Sequence, residues 1–174
     1  MFHHSASTTP WNNYLLATSS QALATASGIW GSSKPSSTLW TGLVGSLFSA
    51  GVPYTFYSFR GIEGFSKVGA YSANNSEDGP FAYCGFRPSF LLIKSVGAIS
   101  WYVIDSKRSP INPVTRGLTW DNNQVEFTNQ FTIDFLSNGF KIRNSSSGSG
   151  GSTNNTSYSP YLFYAVAENP FVGD

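Results

Sequence analysis

The chain has 174 residues with a formal net charge of +1, from ten basic and nine acidic side chains; 16% of it is aromatic and only 11% is charged. That length suffices for one large or two small domains with a real core. The balanced charge lacks both the basic footprint of a duplex-binding protein and a polybasic membrane-surface patch, so neither a nucleic-acid partner nor membrane insertion is expected. Gly, Ser, Thr, Asn and aromatic residues dominate. This composition suits short strands joined by polar turns rather than a helical bundle. No apolar run reaches the ~18 residues of a membrane span. The start, Met1-Phe2-His3-His4-Ser5, lacks the charged and apolar regions of a secretory signal, so any role outside a cell implies release by a route such as host lysis.

In chain order, residues 2–10 read as a strand running into a turn, and Trp11 to Leu16 as a short strand. Ser19 to Ser27 has weak helical character without an amphipathic stripe and reads equally as loop. Leu39 to Gly45 is apolar with glycines, consistent with a strand carrying a bulge. Tyr54-Thr55-Phe56-Tyr57-Ser58-Phe59-Arg60 alternates as a strand should, and it echoes Tyr161-Leu162-Phe163-Tyr164-Ala165-Val166-Ala167-Glu168 near the end of the chain. Phe56 matches Phe163, and Tyr57 matches Tyr164, at the offset that relates Tyr54 to Tyr161. Two such closing strands imply two copies of one unit. No counterpart of residues 65–102 precedes the first copy, so residues 1–64 read as the C-terminal half of a repeat and residues 65–174 as a complete one. A half unit leaves sheet edges and an apolar face open, which implies completion by a neighbouring subunit or by upstream chain.

Within the second unit, Phe65 to Tyr71 alternates with period two. Asn74 to Pro80 is dense in turn formers. Phe90-Leu91-Leu92-Ile93-Lys94 and Trp101 to Asp105 are apolar on both parities, as in central strands covered on both faces. Ser106 to Pro113 must be a loop because of its two prolines. Gln124 to Thr128 reads as a short edge strand and Phe131 to Phe135 as a separate, clearly alternating one. Asn138-Gly139 then predicts a hairpin with a type I′ turn into Phe140 to Arg143, since both residues tolerate positive φ. Asn144 to Ser157 is low-complexity and reads as a long hairpin loop at one end of a sandwich.

Several phrases in this second unit resemble a known family. They are Gly64 to Gly69, Asp78-Gly79-Pro80-Phe81, Cys84-Gly85-Phe86-Arg87-Pro88 before Phe90 to Lys94, Trp101 to Arg108, Phe135 to Asn144, and Tyr164 to Phe171. Together they look like the repeated β-domain of tail-fibre-like virion proteins of tailed, often marine, bacteriophages. The resemblance covers Phe65 to Phe171 well and residues 2–64 as a partial copy. It implies an all-β, antiparallel β-sandwich or jelly-roll-like fold in about one and a half copies, a location on the virion after assembly in the host cytoplasm, and oligomeric partners. It brings no catalytic residues.

The residues themselves offer little catalytic chemistry. No nucleophile elbow, Walker loop or dinucleotide fingerprint is present. His3 and His4, the two histidines, are adjacent and would face opposite ways in a strand, so no metal is expected. Cys84 is the single cysteine and reads as a buried free thiol. The carboxylates Glu63, Glu77, Asp78, Asp105, Asp121, Glu126, Asp134, Glu168 and Asp174 could in principle supply a glycosidase pair, but solvated or turn-capping roles suit them better. Glu63 and Glu168 follow the two closing strands and read as structural acids. Asn-x-Ser/Thr patterns at Asn74, Asn144, Asn154 and Asn155 are what so Asn/Ser-rich a chain carries by chance. Most tryptophans should be core, while Trp30 and Trp120 lie in polar, loop-like contexts. Trp30, Trp120, Asn144, Asn154 and Asn155 are therefore the candidate surface-contact residues.

The expectation is a non-enzymatic bacteriophage virion protein, tail-fibre-like or tail-associated, that uses no cofactor and displays loops for host attachment. It would form a homo-oligomer and contact other virion proteins. The alternatives are a capsid or tail decoration protein, and a carbohydrate-binding module with host surface glycan as partner.

Overall fold

The computed structural model describes residues 13–26, 49, 51–55, 57–143 and 160–170. The fold is all-β, and no helix occurs among these residues. Two short strands, β1 (Asn13–Tyr14) and β2 (Ala24–Thr25), pair with one another. The other eight form one antiparallel sheet: β3 (Ser66–Tyr71), β4 (Phe81–Tyr83), β5 (Pro88–Ser95), β6 (Tyr102–Asp105), β7 (Val114–Thr119), β8 (Phe127–Leu136), β9 (Gly139–Ile142) and β10 (Tyr161–Ala167). Their order is β3-β10-β5-β6-β7-β8-β9-β4. The sheet curls so far that its two edge strands approach one another, giving a nearly closed, sandwich-like wrap around one core.

The alternation in the last strand explains the wrap. Tyr161, Phe163, Ala165 and Ala167 of β10 are buried in the main core. Inward residues of β5 (Leu91, Ile93), β6 (Tyr102, Ile104), β8 (Phe131, Ile133, Phe135) and β9 (Phe140, Ile142) meet them there. Rings from opposite walls interlock. Tyr71 stacks on Tyr161 at 5.0 Å and meets Phe140 edge-on at 6.0 Å, and Phe140 meets Phe163 edge-on at 5.1 Å. Tyr102 packs on Phe131 at 4.3 Å and on Phe127 at 5.6 Å. Each such pair adds about 0.5–1.5 kcal/mol beyond burial. Phe163 fits because its cross-strand neighbour is Gly69, where a Cβ would collide with the ring. Burial pushes the Tyr71 phenol well above its ordinary pKa, with Tyr161 adding to the shift, so it stays neutral.

The outer face of β10 and β5 is apolar too. Leu162 and Leu92 pack with Leu15, Leu23 and Trp101 in a second, smaller cluster. The β1–β2 segment is held onto this face by two bonds: the Trp101 indole N–H donates to Leu16 O at 2.7 Å, and Leu23 N–H donates to Val96 O at 2.7 Å. The run Phe90 to Lys94, apolar on both parities, is thus a central strand covered on both sides, as its composition required.

Other expectations shift. The described residues of Tyr54 to Arg60 form no strand; Tyr57 and Phe59 are 82% and 63% exposed. A ladder needs a free partner edge in register, and here the chain folds back on itself instead. Ile62 bridges Ser66, Gly64 takes φ 69°, and the Ser66 hydroxyl donates to Arg60 O. Phe59 lies against Tyr164 at 5.3 Å. All eight strands of the large sheet fall between residues 66 and 167, inside the span read as the complete unit. The segments at 2–10, Leu39 to Gly45 and Asn144 to Ser157 lie outside the described residues.

Residues read as two strands around Gln124 to Phe135 form one bent strand, β8. Its register against β7 shifts between Val114 and Arg116, and Asn129 takes φ 63° near the irregularity. The predicted β8–β9 hairpin forms, but its loop residues are Ser137 and Asn138, with Gly139 already paired to Leu136. Neither Asn138 nor Gly139 has positive φ. Gly139 is required instead for close approach, because a Cβ there would run into the backbone carbonyl of Ala82 on β4.

Gly139→Ala is therefore expected to strip β4 from β9 and to cost about 1–3 kcal/mol, whereas Ser137→Ala in the exposed turn should cost under about 0.5 kcal/mol. Urea denaturation midpoints of the two variants check this; equal midpoints would refute the close-approach role.

Candidate functional site

The strands deliver chemically interesting side chains to three places. The first is a network of ion pairs near the β6–β7 loop. Arg108 bridges two carboxylates, Asp105 at 2.7 Å and Glu126 at 2.6 Å, and Arg116 reaches Glu126 at 3.7 Å. The Asp105 carboxylate also accepts the Lys107 and Arg108 backbone N–H groups at 2.9 Å. Glu126 first, and Asp105 after it, hold Arg108 above its ordinary pKa. Nearby, the Asn112 side chain donates to Phe135 O at 2.8 Å and accepts Phe135 N–H at 3.0 Å, standing in for a missing strand partner. Arg87 also donates to Phe135 O and pairs with Glu168 at 2.9 Å.

These contacts account for most of the carboxylates. Glu168 serves structure, as its place after the closing strand suggested, and its sequence counterpart Glu63 is exposed. Asp134 is held by Arg143, and Asp78 by Lys141, whose hydrogen bond lowers the Asp78 pKa. Asp105 and Glu126 share the Arg108 guanidinium, which ties the loop after β6 to the start of β8. Among the described residues no group of three His, Cys, Asp or Glu side chains could hold a metal. His3 and His4 lie outside them. Cys84 is a buried free thiol whose pKa burial pushes up to about 12.

The second place is Lys94, which is 1% exposed on the outer side of β5. Its Nζ donates to Ser95 O and Gly97 O, both at 2.8 Å, and this ties the start of the β5–β6 loop. Sequence reading placed Lys94 at the end of an apolar strand and gave no sign that its ammonium would be buried. Desolvation brings its pKa down to about 8, against a smaller opposite pull from Asp121.

The third place is the surface. Trp120 is 59% exposed in the loop of residues 120–126, as its polar context implied, whereas Trp101 is buried. Trp30, Asn144, Asn154 and Asn155 lie outside the described residues, so Trp120 is the one candidate contact residue whose position is seen. A separate strip that sequence reading assigned to strand or turn is also open: Val52, Tyr54, Tyr57, Phe59, Ile62 and Phe65 are 40–82% exposed. Phe81 and Tyr83 project outward from the edge strand β4.

Fold and surface together define an all-β antiparallel domain with a closed aromatic core and open aromatic side chains. The chain belongs to the family described as a domain of unknown function, DUF7483, whose model matches residues 1–170 and runs across the boundary between residues 64 and 65. No curated protein and no solved structure matches it.

Burial of Lys94 sets a pH dependence. Its folded pKa, about 8, lies below the ordinary 10.5, so between these values the unfolded chain binds more protons. The cost of burying the charge is full below pH 8 and fades as pH rises towards 10.5, so the Lys94 contribution to stability improves with pH across that window. Lys94→Met should lack this rise. Denaturation midpoints of both proteins taken through the window check it, and parallel curves would count against a buried charged amine.

Proposed function

We propose that this protein is a non-enzymatic structural component of a bacteriophage virion, tail-fibre-like or tail-associated, which assembles through apolar side chains and displays loops for host attachment. The observation that carries the reading is the strip from Val52 to Phe65. Six large apolar side chains in it, Val52, Tyr54, Tyr57, Phe59, Ile62 and Phe65, are at least 40% exposed, and none of them belongs to the buried core. Leaving these side chains in water is costly, at roughly 25 cal/mol per Å² of apolar surface, and interfaces are enriched in aromatic residues. The phrases from Gly64 to Phe171 that resemble tail-fibre-like proteins supply the virion part of the reading. The closed sheet supplies a scaffold that does not change shape when loops vary, which suits display.

The test is to locate the chain in purified particles by mass spectrometry and gold labelling. Label on the tail is the expected result; absence from the particles would overturn the virion reading, and label confined to the capsid shell would replace the tail role with surface decoration. A second expectation concerns the strip. Tyr57→Asp combined with Phe59→Asp alters exposed side chains, so the variant should keep the wild-type melting temperature within a few degrees but lose self-association in light-scattering measurements. Unchanged association would remove the strip from the assembly surface.

A further inference from the structure

Of the two tryptophans among the described residues, Trp101 is buried and Trp120 is mostly exposed. An indole is the largest apolar side chain, and an exposed one offers a broad flat face with a polar N–H at its edge. Trp120 is also not on a loose tip. Its backbone N–H donates to Trp101 O at 2.9 Å, continuing the β6–β7 ladder one step beyond Tyr102 and Thr119. The next residue, Asp121, accepts Trp101 N–H at 3.3 Å. Asn122 closes the turn: its Oδ1 accepts the Thr119 hydroxyl at 2.5 Å and Gln124 N–H at 3.0 Å, and its Nδ2 donates to Ser100 Oγ at 3.4 Å. Trp101, which anchors all of this, is itself fixed to Leu16 O. The exposed ring is thus carried on a braced backbone, which reduces the ordering cost of binding.

The neighbouring chemistry narrows the ligand. Both carboxylates of the loop are already engaged, Asp121 by Trp101 N–H and Glu126 by Arg108 and Arg116. Beside the indole the loop exposes Asn122, Asn123 and Gln124. The side-chain amides of Asn123 and Gln124 make no hydrogen bond among the described residues. A planar amide both donates and accepts, and a sugar hydroxyl asks for both. A sugar ring also has one face of C–H groups that lies flat on an indole. An anionic ligand would meet carboxylates here and no uncommitted cation in the loop.

We propose that Trp120, with the amides of Asn123 and Gln124, forms a subsite for a neutral glycan, the indole stacking on a pyranose face and the amides reaching its rim hydroxyls. This rests on and deepens the host-attachment part of the proposed function, but the two fail separately, since binding by the purified chain requires no particle.

The experiment titrates the purified full chain against immobilised neutral tetrasaccharides of glucose, galactose, mannose and N-acetylglucosamine. Retention by at least one sugar is expected. Trp120→Ala should weaken it by about tenfold, the size of one lost aromatic contact. Trp120→Phe should keep most of the binding. Val125→Ser, on an exposed side chain of the same loop, should leave it unchanged. No retention of the wild-type chain by any of the four sugars would overturn the proposal, as would full binding by Trp120→Ala. If circular dichroism shows that Trp120→Ala does not fold, Asn123→Ala and Gln124→Ala, both on exposed side chains, decide instead. Weakened binding in either supports the subsite, and full binding in both overturns it.

Discussion

Phe163 is the side chain on which the shape of this protein turns. It projects from the second strand of the sheet, covers Gly69 on the edge strand β3, and meets Phe140 of β9 edge-on from across the interior. In sheet order β10 and β9 are far apart. Only strong curling brings them face to face, and the ring contacts of Phe163, Phe140, Tyr71 and Tyr161 reward that curling. An open eight-stranded sheet would twist and leave its apolar face in water; curling it brings the edge strands β3 and β4 near one another and buries that face. Glycine is required where a neighbouring strand leaves no room for a Cβ, at Gly69 under Phe163 and at Gly139 against β4. The loops that emerge from the ends of the sheet inherit their spacing from this closure.

The outer surface follows from the same economy of space. Because β5 and β10 are apolar on both faces, something has to cover the outside, and residues 13–26 do so around Trp101, Leu162 and Leu92. Covering that face also buries the Lys94 amine, which answers with two backbone carbonyls instead of a carboxylate. A buried lysine is costly to keep charged, and the pull of Asp121 offsets only part of the cost. The two bonds from its amine fix the start of the β5–β6 loop. The polar end near Arg87, Asn112 and Phe135 is different in kind: there side chains complete backbone pairing that the strands leave unfinished.

Much of the sheet was legible in the sequence, because its strands carry strong period-two patterns or continuous apolar runs. Phe90 to Lys94 and Tyr161 to Ala167 are the clearest cases, and burial on both faces is what their composition encodes. Two strands were not legible. β4 is only Phe81–Tyr83 and follows directly on a Gly-Pro turn, while β7, Val114–Thr119, is interrupted by Arg116 and Gly117. In both, the partner strand decides the conformation, and local pattern does not. Tyr54 to Arg60 shows the converse. Its alternation matches that of β10, yet alternation describes only a face, and no edge in register receives it. Asn138-Gly139 marked a hairpin correctly for another reason than the one expected, since close packing against Ala82 sets the glycine. Trp120 and Trp101 were separable by context alone: the polar Asp-Asn-Asn neighbourhood after one, the apolar Tyr-Val-Ile run after the other.

The position of β10 has a consequence for how the protein is made. The last strand in the sequence of the sheet is not at its edge but between β3 and β5, and it pairs with both over most of its length. A ribosome delivers β3 and β5 long before β10, so neither can find its central neighbour until translation has passed residue 167. Until then the facing edges of the two strands lack the strand that pairs with both. A chain cut short before β10 would leave both strands without their shared partner, so closure of the sheet waits on residues 161–167.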